Sequence, residues 1–415
     1  MNWQKLEQAS VELLATQLPD YKRELYHSLA WEDGCVAVLG PRGVGKTTMI
    51  LQKLKSLNLP PNRGLYIDLG DLYFIENRLI DFAHAFADQG GQYLFIDEVH
   101  RYPFKSWAQE IKLIYDRLRH KLKIVFTGSS LLKILNQQAD LSRRVLSYQL
   151  AGLSFREYQL LKYQNSLPVI EIENLLENKH AYIIENLESI NKIDLSQFTN
   201  YLRTGYYPFF LEKESGYLNR LNAIVRLVLE SDMQYLSTEG NNLSIKLSKL
   251  LAAIADSSPF KPNLSKLAER LELNRNRLVE YLEILERAQL IKGARSESKG
   301  ISSLGKPDKI YLDNSNLIYA LSPQGANTGT VRETFFINQL SYLTRTIELV
   351  PPNISIPKSG DFVFTKNNQR YVFEVGGPNK QSKQIRAEKN SFLAVDQLKT
   401  GTAHRIPLWM FGLLY

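Results

Sequence analysis

Eight consecutive residues carry the clearest chemistry in this chain. Gly40, Pro41, Arg42, Gly43, Val44, Gly45, Lys46 and Thr47, with Thr48 behind them, fit G-x-x-x-x-G-K-[ST], the spacing of a loop that wraps phosphate oxygens. Gly43 and Gly45 let backbone N–H groups turn inward where a side chain would collide. Lys46 brings a flexible positive charge to the β- and γ-phosphates of a nucleoside triphosphate, and the Thr47 hydroxyl is a ligand for Mg²⁺. The apolar run CVAVL precedes the loop and TMILQKLKSL follows it with helical spacing. A strand and a helix are therefore expected on either side, and the positive end of the helix dipole adds to the field. A chance glycine-rich turn is the competing reading.

The run YLFIDEVH supplies a buried strand that ends in two carboxylates. Asp97 suits the hydration shell of Mg²⁺, and Glu98 suits a group that orients and deprotonates an attacking water. Water as acceptor makes hydrolysis of ATP to ADP the expected reaction and a small-molecule kinase the least expected one. The alternative for the pair is a helix N-cap. His100 and Arg101 read as loop surface. A third run, LKIVFTGSS, ends in Thr127, Gly128, Ser129 and Ser130. It is expected between the loop strand and the Asp97 strand, with Thr127 or Ser129 beside the γ-phosphate; an N-cap by Ser129 or Ser130 fits equally.

Positioning these groups takes a parallel sheet. CVAVLG, GLYIDLG, YLFIDEV and LKIVFTGS are short apolar runs, each followed by a turn signal and amphipathic spacing, as a doubly wound α/β fold requires. Residues 1–33 read as helices, 150–250 as largely helical, and the remainder as a helical triplet followed by short strands and helices. The expected domains are a P-loop ATPase domain over 1–160, a helical lid or linker over 161–250, a winged helix over 251–310 and an α/β domain over 311–415. The terminal IPLWMFGLLY reads as a buried last strand.

The chain has 415 residues, too many for one core, and 44% are hydrophobic and 23% charged, which excludes disordered and collagen-like classes. A lone cysteine, Cys35, excludes an intramolecular disulfide framework and a cysteine-rich zinc module. No uncharged apolar run approaches the roughly 20 residues of a membrane span, and the start lacks a basic-then-apolar leader, so a cytoplasmic protein without membrane contact is expected. Residues 1–260 hold 29 Lys and Arg against 29 Asp and Glu, whereas residues 261–415 hold 22 against 14. The whole net charge of +8 thus lies in the C-terminal part, which points to a polyanionic partner or, more plainly, to a solubility margin.

Gly40–Thr47, FIDEVH and FTGSS, followed by LSRRVLSYQLAGLSFREY, resemble a large group of prokaryotic AAA-superfamily ATPases whose C-terminal half is a domain of unknown function. YLRTGYYPFF (201–210) resembles that group's helical segment, and FEVGGPNK and IPLWMFGLLY resemble one branch of it. The resemblance implies an additional-strand P-loop core, ATP as nucleotide and Glu98 as catalytic glutamate. In that group a Gly-Arg pair usually precedes LSFRE; here Ser142, Arg143 and Arg144 stand in its place. Arg144, or failing it Arg143, is the candidate to stabilise transition-state charge in its own subunit or in a neighbour of a homo-oligomer. A salt bridge or basic surface turn is the alternative.

The basic half offers two further sites. Residues 262–292 read as a winged helix, with Asn274, Arg275 and Arg277 at the start of the second helix as candidate DNA contacts, while Glu280, Glu283 and Glu286 further along oppose phosphate. Internal packing or a protein-interaction surface is the alternative. Glu333, Asp361 and Glu374 resemble the carboxylates of a restriction-endonuclease-like core, in which they gather Mg²⁺. That pattern wants a lysine two residues after Glu374, where Gly376 stands, so an inactive, binding-only version is expected, with Lys380, Lys383, Arg386 and Lys389 along a phosphate backbone. The expected function is an ATPase whose nucleotide state alters contacts of the C-terminal half, to nucleic acid first; a nucleotide-dependent nuclease and a signalling or scaffold ATPase with a protein partner are the alternatives.

Overall fold

A computed structural model describes residues 3–415 except 105, 130–140, 142, 178–182, 185–191, 231–240, 257–258, 260–263, 298–306, 323–324, 344–353 and 403. Ser130, Ser142 and the first residues of the expected winged helix lie outside the described residues. The chain forms two compact units, Met1–Ala151 and, beyond it, Gly152–Thr344 with Glu348–Tyr415.

The first unit is built on five parallel strands: β1 (Cys35–Gly40), β2 (Gly64–Asp68), β3 (Tyr93–Asp97), β4 (Lys123–Ser129) and β5 (Leu146–Gln149), in the order β2-β3-β4-β1-β5. The inner strands are continuous Val, Ile, Leu and Phe because helices cover both faces. α1 (Gln4–Ala15) and α2 (Glu24–Ser28) precede the sheet. α3 (Lys46–Leu57), the one-turn α4 (Tyr73–Glu76), α5 (Leu79–Asp88) and α6 (Trp107–Leu118) connect the strands. Trp3, just before α1, and Leu6 of α1 join Phe82 and Phe86 of α5, Ile111 of α6 and Phe126 of β4 in one apolar core. Each such side chain contributes roughly 1.5–3 kcal/mol through burial. β4 lies between the loop strand and the Asp97 strand, as the sequence requires, and pairs Gly40 with Ser129. β5 is an addition to the four expected strands. It is a four-residue edge strand whose Leu146 is exposed, so it lacks the apolar run that marks the others.

The second unit starts with α7 (Phe155–Tyr163), whose Ser154 and Glu157 form a reciprocal capping box at 3.2 and 3.1 Å. That pairing explains the LSFRE motif. α8 (Leu195–Thr204), α9 (Tyr217–Glu230) and α10 (Asn241–Asp256) follow. α11 (Leu264–Arg270) and α12 (Arg275–Arg287) make a helix-turn-helix that leads into an antiparallel ribbon of β6 (Ile291–Ala294) and β7 (Lys309–Leu312). α13 (Ser315–Leu321) carries Asn316. Its side chain accepts from Tyr206 N–H (2.8 Å) and Tyr217 hydroxyl (2.6 Å) and donates to the carbonyls of Tyr201 (3.1 Å) and Leu202 (2.8 Å). The largely buried YLRTGYYPFF segment is therefore pinned to α13 through Tyr201, Leu202 and Tyr206.

α14 (Thr328–Ser341) leads to a mixed sheet of β8 (Ile354–Ser355), β9 (Phe362–Lys366), β10 (Gln369–Gly376), β11 (Ser391–Val395) and β12 (Arg405–Pro407), in the order β12-β11-β10-β9-β8. The expected last strand is corrected. Only Arg405–Pro407 pairs, and Leu408–Leu413 winds into a buried 3-10 helix, because Pro407 has no N–H to extend the ladder. No described helix is long and apolar enough to cross a membrane.

Candidate active site

The phosphate loop leaves β1 at Gly40 and enters α3 at Lys46. Gly43 and Gly45 sit at φ of +85° and +96°, in the left-handed region that a side chain strains. A Cβ on Gly40 would lie 2.3 Å from the Leu150 carbonyl oxygen, so only glycine fits there. Arg23, a buried arginine with no sequence signal, holds the loop from behind by donating to the Val44 and Ala151 carbonyls, each at 2.9 Å. The Lys46 ammonium donates to the Gly40 and Pro41 carbonyls at 3.0 Å each. Thr48 lies half-buried on the first turn of α3.

Asp97, at the end of β3, is where three strands converge. The Thr47 hydroxyl donates to Asp97 Oδ2 at 2.7 Å and the Tyr66 hydroxyl to the same oxygen at 2.9 Å, while the Thr127 hydroxyl donates to Oδ1. Tyr66 was missed by sequence reasoning because GLYID reads only as strand; burial and then the Asp97 charge push its phenol well above the usual range. The backbone N–H of Glu98 donates to Asp97 Oδ1 and Thr127 Oγ1, both at 3.1 Å.

Glu98 itself takes φ of +51°, a left-handed conformation that costs a non-glycine residue about 1–2 kcal/mol. The turn throws its carboxylate back toward the loop, 3.8 Å from Arg42 and 3.3 Å from His100. Burial alone would raise this carboxyl, but His100, Lys46 and Arg42 outweigh it and hold it at about 2. The N-cap alternative for the acidic pair fails: Glu98 makes no side-chain cap to the short turn Val99–Arg101. His100 corrects the expectation of a surface loop residue, since only 7% of it is exposed. Ser129 Oγ is buried without a hydrogen-bond partner among the described residues.

These groups fit a magnesium–nucleotide complex. A nest with two left-handed glycines, an ammonium, a hydroxyl set against a carboxylate and an orphaned serine hydroxyl converge at one end of the sheet. Arg144 stands apart from them. It forms a two-pronged salt bridge to Asp116 of α6 at 2.7 and 3.1 Å, so the salt-bridge alternative is the one realised within this chain. Arg143 lies in the turn before β5.

In the second unit, the Asn274 side chain caps α12 by accepting from Arg277 N–H at 2.8 Å, and Arg277 pairs with Glu280 at 2.7 Å. Arg275 is exposed beside them. Glu333 accepts from the Tyr311 hydroxyl at 2.7 Å, and Asp361 accepts from Val375 N–H at 2.8 Å. Glu374, almost wholly buried, meets the Lys380 ammonium at 2.6 Å. A Cβ on Gly376 would lie 2.6 Å from Lys380 Cγ, so the glycine is what lets Lys380 cross to Glu374. Among the described residues no group of three His, Cys, Asp or Glu side chains could hold a metal ion.

Residues 32–159 match the family model of an AAA domain, and residues 195–328 match one described as a domain of unknown function (DUF8612). An uncharacterized protein, MJ1637, of Methanocaldococcus jannaschii is 28% identical over 274 residues, covering 62% of this chain and 55% of that protein. The matched part thus spans about half the length of the curated relative. Among solved structures, Thermotoga maritima RuvB, in a variant form, is 16% identical over 71% of this chain and 90% of its own, with a TM-score of 0.29. AMPPCP-bound DnaA from Aquifex aeolicus is 12% identical over 68% and 88%, with a TM-score of 0.27. Superpositions this loose say nothing about activity. Residues 32–159 thus match an AAA domain and coincide with the five-stranded parallel core, and residues 195–328 of the C-terminal region match a domain of unknown function.

Proposed function

We propose that the protein binds ATP with Mg²⁺, hydrolyses it to ADP, and uses the difference between the two states to change contacts that its basic C-terminal half makes with nucleic acid. One observation carries the first part: Thr47 and Asp97, from motifs fifty residues apart, meet at 2.7 Å. Those two residues would hold Mg²⁺, which when bound neutralises charge on the phosphate oxygens. Lys46 exchanges the Gly40 and Pro41 carbonyls for phosphate oxygens, and the N–H groups of the loop supply the remaining donors. Glu98, ionised throughout the neutral range, orients a water for attack and takes its proton. Its low proton affinity makes orientation its first task.

The second part is supported by the charge excess confined to residues 261–415 and by a helix-turn-helix followed by a two-stranded ribbon, the order of elements in a winged helix. Because Asn274 caps its helix and Arg277 pairs with Glu280, Arg275 is the best-placed base or phosphate contact of the three. Cleavage is the less favoured reading for the C-terminal sheet, because among the described residues Glu333, Asp361 and Glu374 do not gather into a group that could hold a metal ion.

Turnover of ATP with Mg²⁺ by the full chain, compared with Lys46→Ala, tests the first part; equal rates would refute it. Duplex and single-stranded DNA titrations at two salt concentrations test the second. Phosphate contacts must weaken steeply with salt, and an affinity indifferent to salt, or absent, would turn the reading toward a protein partner.

A further inference from the structure

We infer that His100 is a positioning residue for Glu98, tying that carboxylate to the C-terminal end of β4. The inference rests on the reading of Glu98 as the residue that orients the attacking water.

The backbone N–H of Ser129, the last residue of β4, donates to His100 Nδ1 at 3.3 Å. A ring nitrogen that accepts carries no hydrogen, so the neutral imidazole has its hydrogen on Nε2. Nε2 is the atom that faces Glu98 Oε2 at 3.3 Å. As placed the two atoms are in contact without a hydrogen bond, and such contacts commonly tighten when a substrate is seated. Closing this contact completes a link from Ser129 N–H through the ring to the carboxylate. The same strand end holds Glu98 a second time, because Thr127 Oγ1 accepts from its backbone N–H. β4 fixes the main chain of Glu98 through Thr127 and its side chain through His100.

Two further features give the link a purpose. Glu98 sits at a left-handed φ, so its carboxylate is held by neighbours rather than by relaxed local geometry. The Ser129 hydroxyl, buried and without a hydrogen-bond partner among the described residues, belongs to the residue whose N–H anchors the ring. A phosphate oxygen that engages this hydroxyl acts on the same strand end that sets Glu98. Water orientation is then coupled to a seated terminal phosphate, with Arg42 and Lys46 as the cations facing the carboxylate.

The test uses the full chain, steady-state ATP turnover with kcat and KM resolved, and equilibrium binding of a fluorescent ATP analogue. His100→Asn keeps an acceptor for Ser129 N–H but loses the arm to Glu98; His100→Gln keeps a donor at the reach of Nε2. His100→Asn should lower kcat about 10- to 100-fold with nucleotide affinity within about twofold, and His100→Gln should recover most of the loss. Added to Glu98→Gln, His100→Asn should slow turnover no further. Parent-like kcat in His100→Asn, equal loss in both His100 variants, or an additive loss in the double variant would overturn the inference. If Glu98→Gln is inactive while His100→Asn keeps the parent rate, only the link fails. If Glu98→Gln itself keeps the parent rate, the reading of Glu98 fails and the link with it.

Discussion

Thr127 is the residue on which the acidic pair depends most. Its one hydroxyl donates to Asp97 and accepts from the Glu98 N–H, in a place with no exposure to solvent. Thr127→Val preserves shape but removes one hydrogen bond from each partner, one of them to a buried carboxylate, which should cost about 1–3 kcal/mol of stability and slow turnover. Thr127→Ser should restore both, with denaturant midpoints and kcat as the readouts. The Gly-rich loop, Asp97 and Glu98 were legible because their chemistry is local and their spacing fixed. Tyr66, Arg23 and His100 were not, because each acquires its role from a strand or loop distant in sequence: Arg23 acts on Val44 and Ala151, and His100 receives Ser129 from twenty-nine positions on.

Elements were legible where pattern and chemistry coincide. The position of β4 between β1 and β3 follows from two runs that each end in site residues, and the capping boxes of α7 and α8 stand in the sequence as S-x-x-E and D-x-x-Q. β5 was hidden by its shortness, and the 3-10 ending by the proline that ends the ladder. α12 depends on its cap: Asn274→Ala should cost about 1 kcal/mol and Asn274→Gly only a few tenths, measured as shifts in thermal unfolding. The end of β10 shows a lysine displaced rather than lost. Lys380→Ala should strand the buried Glu374 and cost about 1–3 kcal/mol at neutral pH. Burial holds the Glu374 carboxyl above its ordinary range. Protonation removes the charge that lacks a partner, so the defect should shrink as pH falls, and denaturation at neutral and mildly acid pH checks the sign.

At the scale of the molecule, the lone thiol reports on the first unit. Cys35 is fully buried in β1, and burial pushes its thiol far above the ordinary range. Thiol reagents should reach it only when that unit opens. ATP with Mg²⁺ at about 100 times its Kd should slow labelling about 100-fold, and Lys46→Ala should abolish the protection. The two units divide the account as well: the first contains every group assigned to nucleotide chemistry, and the second carries the charge excess assigned to a polyanion. The most direct test of the whole is Glu98→Gln, measured for ATP binding and for turnover on one preparation. Nucleotide should bind as tightly as in the parent while turnover falls about 100-fold or more. Turnover at the parent rate, with binding intact, would contradict it.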